Sequence, residues 1–235
     1  MSNVCAFIFA RGGSKGLPRK NILPIGGMPM LVHGIRIAQQ IANVAGIYVS
    51  TDCHEIAAIS QDAGAEVIIR PAELASDTAS EWLAWQHAIQ TVQERHGEFE
   101  YFLSLPPTAP LRKTEDVENC LAALQPGVDI VITMTPARRS PWFNMVSKDI
   151  SGLLGLILKD NTIHRRQDSP VCYDVATVAY AAKADFILGA QAIWDGRVAG
   201  VEVPVERAID IDTPFDFAIA QFVMEQWELG NQLKL

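Results

Sequence analysis

Short apolar runs alternate with amphipathic stretches along the first 135 residues of the chain. The run VCAFIF at Val4–Phe9 is too short for a typical helix, which predicts a strand buried on both faces of a parallel sheet. Leu31, Ile35, Ala38 and Ala42 recur at helical spacing and predict a helix over about 29–42. The same patterns predict strands at 46–50, 66–69, 101–105 and 130–135, and helices at 55–62, about 82–92 and 114–124.

This regular alternation predicts an α/β fold with a doubly wound, mainly parallel sheet, whose functional residues collect at the carboxyl ends of the strands. At 235 residues, the chain is most simply one domain spanning 1–235. The rhythm changes after Pro136, and residues 137–175 are expected to form a protruding arm. Trp142 and Phe143 on that arm would either pair with a second subunit or cover the sheet, and both readings stay open.

The C-terminal part predicts one more helix, which begins at Thr213 and Pro214. Phe215, Ile219 and Phe222 lie on one face of that helix. The chain contains neither an internal repeat nor a low-complexity tract. These features complete the prediction of a folded α/β domain.

Charge and composition narrow the class of partner. The formal net charge of -8 argues against nucleic-acid or anionic-membrane binding, so we expect neither as a partner. No apolar run approaches the length of a membrane-spanning helix, and the first ten residues lack the basic region and cleavage site of a secretory signal, which predicts a cytoplasmic protein. The four cysteines are scattered without CxxC spacing, which disfavours a zinc site or a disulfide framework.

A glycine-rich, basic loop follows the first strand. Its glycines at 12, 13 and 16 allow the backbone to approach a ligand closely, and Arg11, Lys15, Arg19 and Lys20 supply positive charge. The spacing matches neither GxxxxGK[ST] nor GxGxxG, so a P-loop NTPase or dinucleotide-binding domain is not supported. The pattern predicts a phosphate-binding loop, and the alternative is a solvated basic turn.

A pair of carboxylates stands near the other end of the chain. In AIDIDTP, Asp210 and Asp212 alternate with Ile209 and Ile211, so a strand here would place both carboxylates on one face. Two such carboxylates suit Mg²⁺, which prefers hard oxygen ligands and shares substrate phosphates. The alternative is that Asp212 or Thr213 caps the last helix and Asp210 faces solvent. With the basic loop, the pair predicts metal-assisted nucleotide chemistry.

Six collinear motifs resemble those of the acylneuraminate cytidylyltransferases, the CMP-sialic acid synthetases. The resemblance covers nearly the whole chain and rests on ARGGSKGLPRKN, VSTD, RPAELASDTAS, PTAPLR, RRQ and IDIDT. It implies a Rossmann-like nucleotidyltransferase fold and a Mg²⁺-dependent reaction of CTP with a 2-keto-3-deoxy sugar acid, giving a CMP-sugar and pyrophosphate. It also implies a homodimer that exchanges the arm.

The resemblance assigns roles to residues of this sequence. Arg11, Lys15, Asp210 and Asp212 are implied to be catalytic, with the two aspartates holding the metal. The acceptor sugar is expected to meet Arg166, Gln167, Tyr173 and Asp174. The residues implied to bind the nucleotide are Arg11, Gly12, Gly13, Ser14, Lys15, Asn21, Arg70, Asp77, Ala79 and Ser80.

The chain departs from the family pattern at three places. Pro106 replaces a glutamine that would contact the sugar, Asp174 replaces an arginine, and Glu81 replaces a serine that helps to read cytosine. Sialic acid, legionaminate, pseudaminate and Kdo therefore all stay open as acceptors, and cytosine preference is expected but not fixed. A same-fold nucleotidyltransferase with another nucleotide or sugar, and a non-catalytic nucleotide-sugar binding protein, are the competing hypotheses.

Overall fold

A seven-stranded mixed sheet forms the centre of the molecule. The computed structural model describes residues 3–14, 16–160 and 162–230. The strand order is β11-β7-β10-β6-β1-β4-β5, and β10 is antiparallel to its two neighbours while the other pairings are parallel. The predicted α/β class with a mainly parallel sheet is therefore confirmed.

The elements follow the predicted alternation closely. The strands are β1 Val4–Phe9, β2 Pro24–Ile25, β3 Met28–Pro29, β4 Val44–Thr51, β5 Glu66–Ile69, β6 Tyr101–Ser104, β7 Ile130–Pro136, β8 Val146–Lys148, β9 Leu154–Leu156, β10 Tyr173–Lys183 and β11 Val198–Glu202. The α-helices are α1 Met30–Gln40, α2 His54–Asp62, α3 Glu81–His96, α4 Thr114–Ala122, α5 Ala184–Gly189 and α6 Pro214–Glu228. Short 3₁₀ turns include Lys20–Ile22, Ala72–Leu74 and Arg166–Asp168.

Strand β1 is central because its side chains are buried on both faces. Ala6 and Ile8 pack into a core shared with α1, α2 and α4, whereas Phe7 packs into an aromatic core under α3 and α5. The Phe7 ring lies 4.9 Å from Phe102 and 5.4 Å from Tyr48 between ring centroids. The loop that leaves β1 therefore starts from a rigid point at the middle of the sheet.

Strand β10 has no counterpart in the predicted elements. It is eleven residues long, and its segment Val178–Ala182 is buried between β6 and β7. Its register with β7 shifts between Ala176 and Tyr180, and the Thr133 hydroxyl donates to the Ala176 carbonyl at 2.8 Å across this irregularity. The bulge places Thr177 at the edge of the sheet where ligands bind.

The expected strand at 209–213 needs correction. Residues 209–213 do not form a strand; Ile211 is fully buried and its N–H donates to the Thr108 carbonyl at 2.9 Å, so one loop contact replaces strand pairing. Phe215 and Phe222 share a face of α6 as expected, but that face is exposed, because Ala220 and Val223 supply the buried face.

The expected arm contains a β-hairpin. Strands β8 and β9 pair antiparallel, and Ile150, Leu153 and Leu154 at the hairpin are exposed. Phe143 is also exposed, whereas Trp142 is half-buried. No helix within the described residues is long and apolar enough to cross a bilayer.

Candidate active site

A cavity of about 660 Å³ opens at the carboxyl ends of β1, β5 and β6, where the chemistry of such a sheet is expected. The loop after β1 forms one side, the N-terminal turn of α3 forms another, and the loop before α6 closes it. Its lining residues are Phe9, Arg11, Ser14, Gly16, Lys20, Asn21, Arg70, Leu74, Ser76, Asp77, Ala79, Glu81, Ala84, Pro106, Pro107, Thr108, Thr177, Tyr180, Asp212 and Thr213.

The basic loop and the acidic segment meet at this cavity although almost 200 residues separate them. The Lys20 ammonium lies 2.6 Å from a carboxylate oxygen of Asp212. A side chain at Gly16 would place its Cβ 2.5 Å from the Asp212 carbonyl oxygen, so glycine is required for this approach. The fold thus brings the predicted phosphate loop against one of the two predicted carboxylates.

Other polar groups of the loop are held by acidic side chains. Arg11 forms an ion pair with Asp77 at 3.0 Å and donates to the Ser76 carbonyl at the same distance. The Gly12 N–H donates to the Asp52 carboxylate at 2.9 Å. The Gly12 amide is therefore committed to the protein, and the Ser14 N–H likewise donates to the Gly12 carbonyl at 3.2 Å.

Arg70 forms a rigid cationic wall of the cavity. Its Nε donates to the Ser50 hydroxyl at 3.0 Å and its Nη2 donates to the Ser50 carbonyl at 2.7 Å. The guanidinium carbon lies 5.6 Å from the centroid of the Phe9 ring, within the range of a cation–π contact. Desolvation lowers the pKa of Arg70, opposed by the charges of Asp52 and Glu81. A guanidinium titrates far above neutral pH and stays charged.

The structure gathers most, but not all, of the predicted nucleotide-binding residues. Gly12, Gly13 and Ser80 do not line the cavity, although Gly12 and Gly13 belong to its loop and Ser80 is the N-cap of α3. Lys15 lies outside the described residues, so its predicted role has no structural counterpart here. The predicted residues that do line the wall are Arg11, Ser14, Asn21, Arg70, Asp77 and Ala79.

Asp210 lies close to the cavity but does not line it. Its charge raises the pKa values of Glu81 and Tyr180, which places the carboxylate within electrostatic reach of both side chains. Within the described ranges, no group of three or more His, Cys, Asp or Glu side chains is arranged to hold a metal ion. A metal between Asp210 and Asp212 would therefore take its other oxygen ligands from substrate and water.

The residues predicted to meet the acceptor lie elsewhere in this chain. Arg166 and Gln167 line a separate cavity of about 390 Å³ at the base of the arm, together with Ser140, which is buried and whose hydroxyl has no hydrogen-bond partner among the described residues. Tyr173 and Asp174 begin β10, and Asp174 borders a smaller cavity beside them. One copy of the chain therefore does not bring these residues to the main cavity.

The main cavity has polar groups that the sequence analysis did not assign. Lys20 was counted only as loop charge, yet its ammonium pairs with Asp212. Thr177 contributes a buried hydroxyl that has no partner in the part of the chain described, and Tyr180 lines the same wall. Their signal was the apolar run around Thr177, which the sequence analysis did not assign to a strand.

Glu81 and Tyr180 have perturbed acidities at this wall. Desolvation raises the pKa of Glu81; the indole of Trp85 and the charge of Arg70 oppose that rise, and Asp210 adds to it. Burial raises the pKa of Tyr180 to about 12, and the charges of Glu81 and Asp210 contribute. Tyr180 is therefore a neutral phenol at physiological pH.

Arg112 supports the cavity from below. This arginine is buried, its Nε donates to the Val178 carbonyl at 2.7 Å, and its Nη2 donates to the Pro106 carbonyl. Burial lowers its pKa to about 9, and the charges of Asp116 and Asp210 oppose that shift. Arg112 therefore fixes the loop that begins at Pro106 against strand β10.

Comparisons with known proteins identify the family of the chain. A family profile described as "Cytidylyltransferase" matches residues 5–125. The chain is 34% identical to "Post-translational flagellin modification protein B" of Campylobacter coli, over 97% of this chain and 98% of that protein. It is also 34% identical to "CMP-N,N'-diacetyllegionaminic acid synthase" of Campylobacter jejuni, over 95% of this chain and 96% of that protein.

The fold resembles a solved structure with a related title. That structure is "CMP:2-keto-3-deoxy-manno-octonic acid synthetase complexed with CTP", with a TM-score of 0.72 and 20% identity. The match covers 96% of this chain and 100% of that chain. At this identity the likeness concerns the fold alone.

Proposed function

The chain belongs to the cytidylyltransferase family, and on that premise we propose that it couples CTP to a 2-keto-3-deoxy sugar acid of the nonulosonic class. The products are the CMP-sugar and pyrophosphate. The observation that carries the proposal is the contact between the cationic loop and the acidic segment at the cavity, where Lys20 lies 2.6 Å from Asp212. The whole chain, 1–235, is proposed to act as one catalytic domain, with a Rossmann-like, doubly wound fold of the nucleotidyltransferase type.

The reaction is an in-line displacement at the α-phosphorus of CTP. The anomeric hydroxyl oxygen of the sugar acid forms the new bond, and the bond to the β-phosphate oxygen breaks as pyrophosphate leaves. Arg11 and Lys20 would neutralise the triphosphate and the charge that builds on the leaving group. Lys15 is proposed for the same role on the basis of its motif.

Asp210 and Asp212 are the residues that would hold Mg²⁺. They offer carboxylate oxygens, the donor type that this ion prefers, and Asp212 opens on the cavity. When bound, the ion would polarise the α-phosphate and make the attacking hydroxyl more acidic. Asp210 is proposed to help remove the hydroxyl proton.

We place the acceptor between two copies of the chain. Arg166 and Gln167 lie in the arm cavity with Ser140, and an arginine beside free hydroxyls suits the carboxylate and polar groups of a sugar acid. The arm exposes Ile150, Leu153 and Leu154, which a partner would cover. In a homodimer, the arm would bring these groups, with Tyr173 and Asp174, toward the main cavity of the other copy.

The test is a panel of pyrophosphate-release assays. Four nucleoside triphosphates are each combined with N-acetylneuraminate, N,N'-diacetyllegionaminate, a pseudaminate and Kdo, with Mg²⁺ and with EDTA. We expect release only with CTP, a nonulosonic acid and Mg²⁺. Release with Kdo alone would change the acceptor class, and release with another nucleotide alone would refute the assignment of CTP.

A further inference from the structure

One wall of the main cavity combines an apolar surface with two opposite charges. Phe9, Leu74 and Ala84 provide the apolar part, and Arg70 and Glu81 are the charged residues beside them. The loop side of the cavity instead carries Arg11, Lys20, Asp77 and Asp212. A flat, aromatic nucleobase fits the first side, and a triphosphate fits the second side.

Glu81 differs from the other two carboxylates that line the cavity. Asp77 pairs with Arg11 at 3.0 Å, and Asp212 pairs with Lys20 at 2.6 Å. Among the described residues, Glu81 forms no salt bridge, although its charge acts on Arg70. It is the first residue of α3, so its backbone position is fixed by the helix. The Trp85 indole is within hydrogen-bonding reach of this carboxylate, and because a carboxylate has two oxygens, it can also accept a hydrogen bond from a ligand.

Arg70 offers the complementary donor. Its hydrogen bonds to Ser50 use Nε and Nη2, so neither bond uses Nη1. Because those two bonds and the contact with Phe9 fix the guanidinium, it presents its remaining N–H donors from a constant position. The wall therefore holds an acceptor and a donor that do not neutralise each other in a salt bridge.

We propose that Glu81 is the residue that selects cytosine, its carboxylate accepting a hydrogen bond from the exocyclic amino group while Arg70 donates to the acceptor side of the same ring. This inference rests on the proposed function. Cytosine presents an amino donor beside a ring nitrogen and a carbonyl, both acceptors. Uracil presents a carbonyl where cytosine has its amino group. The uracil oxygen would then face the Glu81 carboxylate, and because both are acceptors, neither would gain a hydrogen bond.

The test is the Glu81→Gln variant, with dissociation constants for CTP and UTP measured by calorimetry in the presence of Mg²⁺. The glutamine side chain can accept a hydrogen bond through its oxygen or donate one through its nitrogen, so it can pair with cytosine and with uracil. We expect wild type to prefer CTP over UTP, and we expect that preference to fall by roughly 10- to 100-fold in the variant. Glu81→Asp, which keeps the carboxylate, should retain part of the preference.

Glu73→Gln is the matched control, because Glu73 is a nearby exposed carboxylate in the turn Ala72–Leu74 that does not line the cavity. The preference of the Glu73→Gln variant for CTP over UTP should equal that of wild type. An unchanged CTP/UTP ratio in a folded Glu81→Gln variant would overturn the inference, as would equal weakening for both nucleotides. Circular dichroism checks the fold.

The two proposals fail in different ways. If wild type releases pyrophosphate from CTP but Glu81→Gln keeps the full preference, only the role of Glu81 is wrong. If wild type prefers CTP through Glu81 but turns over no sugar acid, only the proposed reaction is wrong. A wild type that binds UTP as well as CTP contradicts the Glu81 inference directly.

Discussion

Lys20 and Asp212 form an ion pair at the proposed substrate site. Their charges lie 2.6 Å apart, and Arg11 and Asp77 form a second such pair at 3.0 Å. A magnesium–triphosphate offers a better partner to each charge, since phosphate oxygens suit the cations and the metal suits Asp212. We therefore expect substrate binding to exchange these pairs for contacts with the ligand.

Replacing Asp212 with Asn should abolish turnover while the fold survives. The amide removes the charge that would hold the metal, and Asp212 is exposed, so its loss creates no buried defect. We expect pyrophosphate release to fall by at least about 10²-fold. Asp62→Asn, at the exposed end of α2, is the control and should keep normal activity. Near-normal activity in a folded Asp212→Asn variant would refute the metal assignment.

His33 should make stability depend on pH below neutrality. Desolvation lowers its pKa from the usual 6.5, opposed by hydrogen bonds to the carbonyls of Ile25 and Met28, while Arg112 lowers it further. The unfolded chain therefore binds a proton at a higher pH than the folded chain, so stability rises with pH through this window and is lost as pH falls below about 6.5. Desolvation and the charge of Arg70 lower the pKa of His87 as well, so its contribution to stability also decreases as pH falls.

The measurement is the urea concentration at the midpoint of unfolding, determined at a series of pH values from 7.5 to 5. We expect it to decrease toward pH 5 in wild type and to decrease less in His33→Gln, which cannot gain a proton. His54→Gln is the control, since His54 is an exposed residue at the start of α2. Equal slopes for wild type and His33→Gln would contradict the role of His33.

At the scale of elements, strand β10 shapes the cavity as much as the loop after β1 does. Its bulge brings Thr177 to the wall, and Tyr180 lines the same wall. Arg112 holds this strand and the loop at Pro106 together through two backbone carbonyls. Pro106 lines the cavity and Val178 stands next to Thr177, which also lines it, so Arg112 ties the two sides of the cavity together.

Replacing Arg112 with Met should therefore destabilise the protein and loosen the site. The methionine fills part of the space but leaves the carbonyls of Pro106 and Val178 without a donor. We expect the free energy of unfolding to fall by about 2–5 kcal/mol. Chemical denaturation checks the value, and Arg36→Met on the exposed face of α1 should change it by less than about 0.5 kcal/mol. If the free energy of unfolding fell by less than about 0.5 kcal/mol in Arg112→Met, the proposed role of Arg112 in holding the two segments together would be contradicted.

At the scale of the whole molecule, apolar surface is concentrated on the arm and on α6. Leu154 in the arm hairpin is 66% exposed, and Phe222 on α6 is 53% exposed. Exposed surface of this kind marks protein contacts, and the arm also carries Arg166 and Gln167. We therefore assign the proposed dimer contact to the arm.

Leu154→Asp should convert the proposed dimer into monomers and reduce turnover, because it places a charge in the contact and removes the arm from the neighbouring site. Light scattering after gel filtration measures the mass, and pyrophosphate release measures the activity. Phe222→Asp is the matched variant on α6 and should leave the dimer intact. A dimer that survives Leu154→Asp but dissociates with Phe222→Asp would place the contact on α6 instead.

The local pattern along the chain was sufficient for the framework. Strand β1 and helices α1 to α4 follow from apolar spacing, because burial on one or both faces imposes a period of its own on the sequence. The glycines and cations after β1 predict a phosphate loop, since few other roles need both, and phosphate binding there stays a prediction. Gly16 is the clearest case, because its missing side chain admits the Asp212 carbonyl.

Only the tertiary structure decided which distant groups meet. The Gly12 N–H donates to Asp52, and Lys20 pairs with Asp212. Asp212 lines the cavity, whereas Asp210 does not. The alternation of isoleucine and aspartate predicted a strand at 209–213, yet Ile211 is held by one bond to Thr108. Alternation records which side chains are buried, and burial alone does not specify the backbone partner; that depends on how remote segments pack.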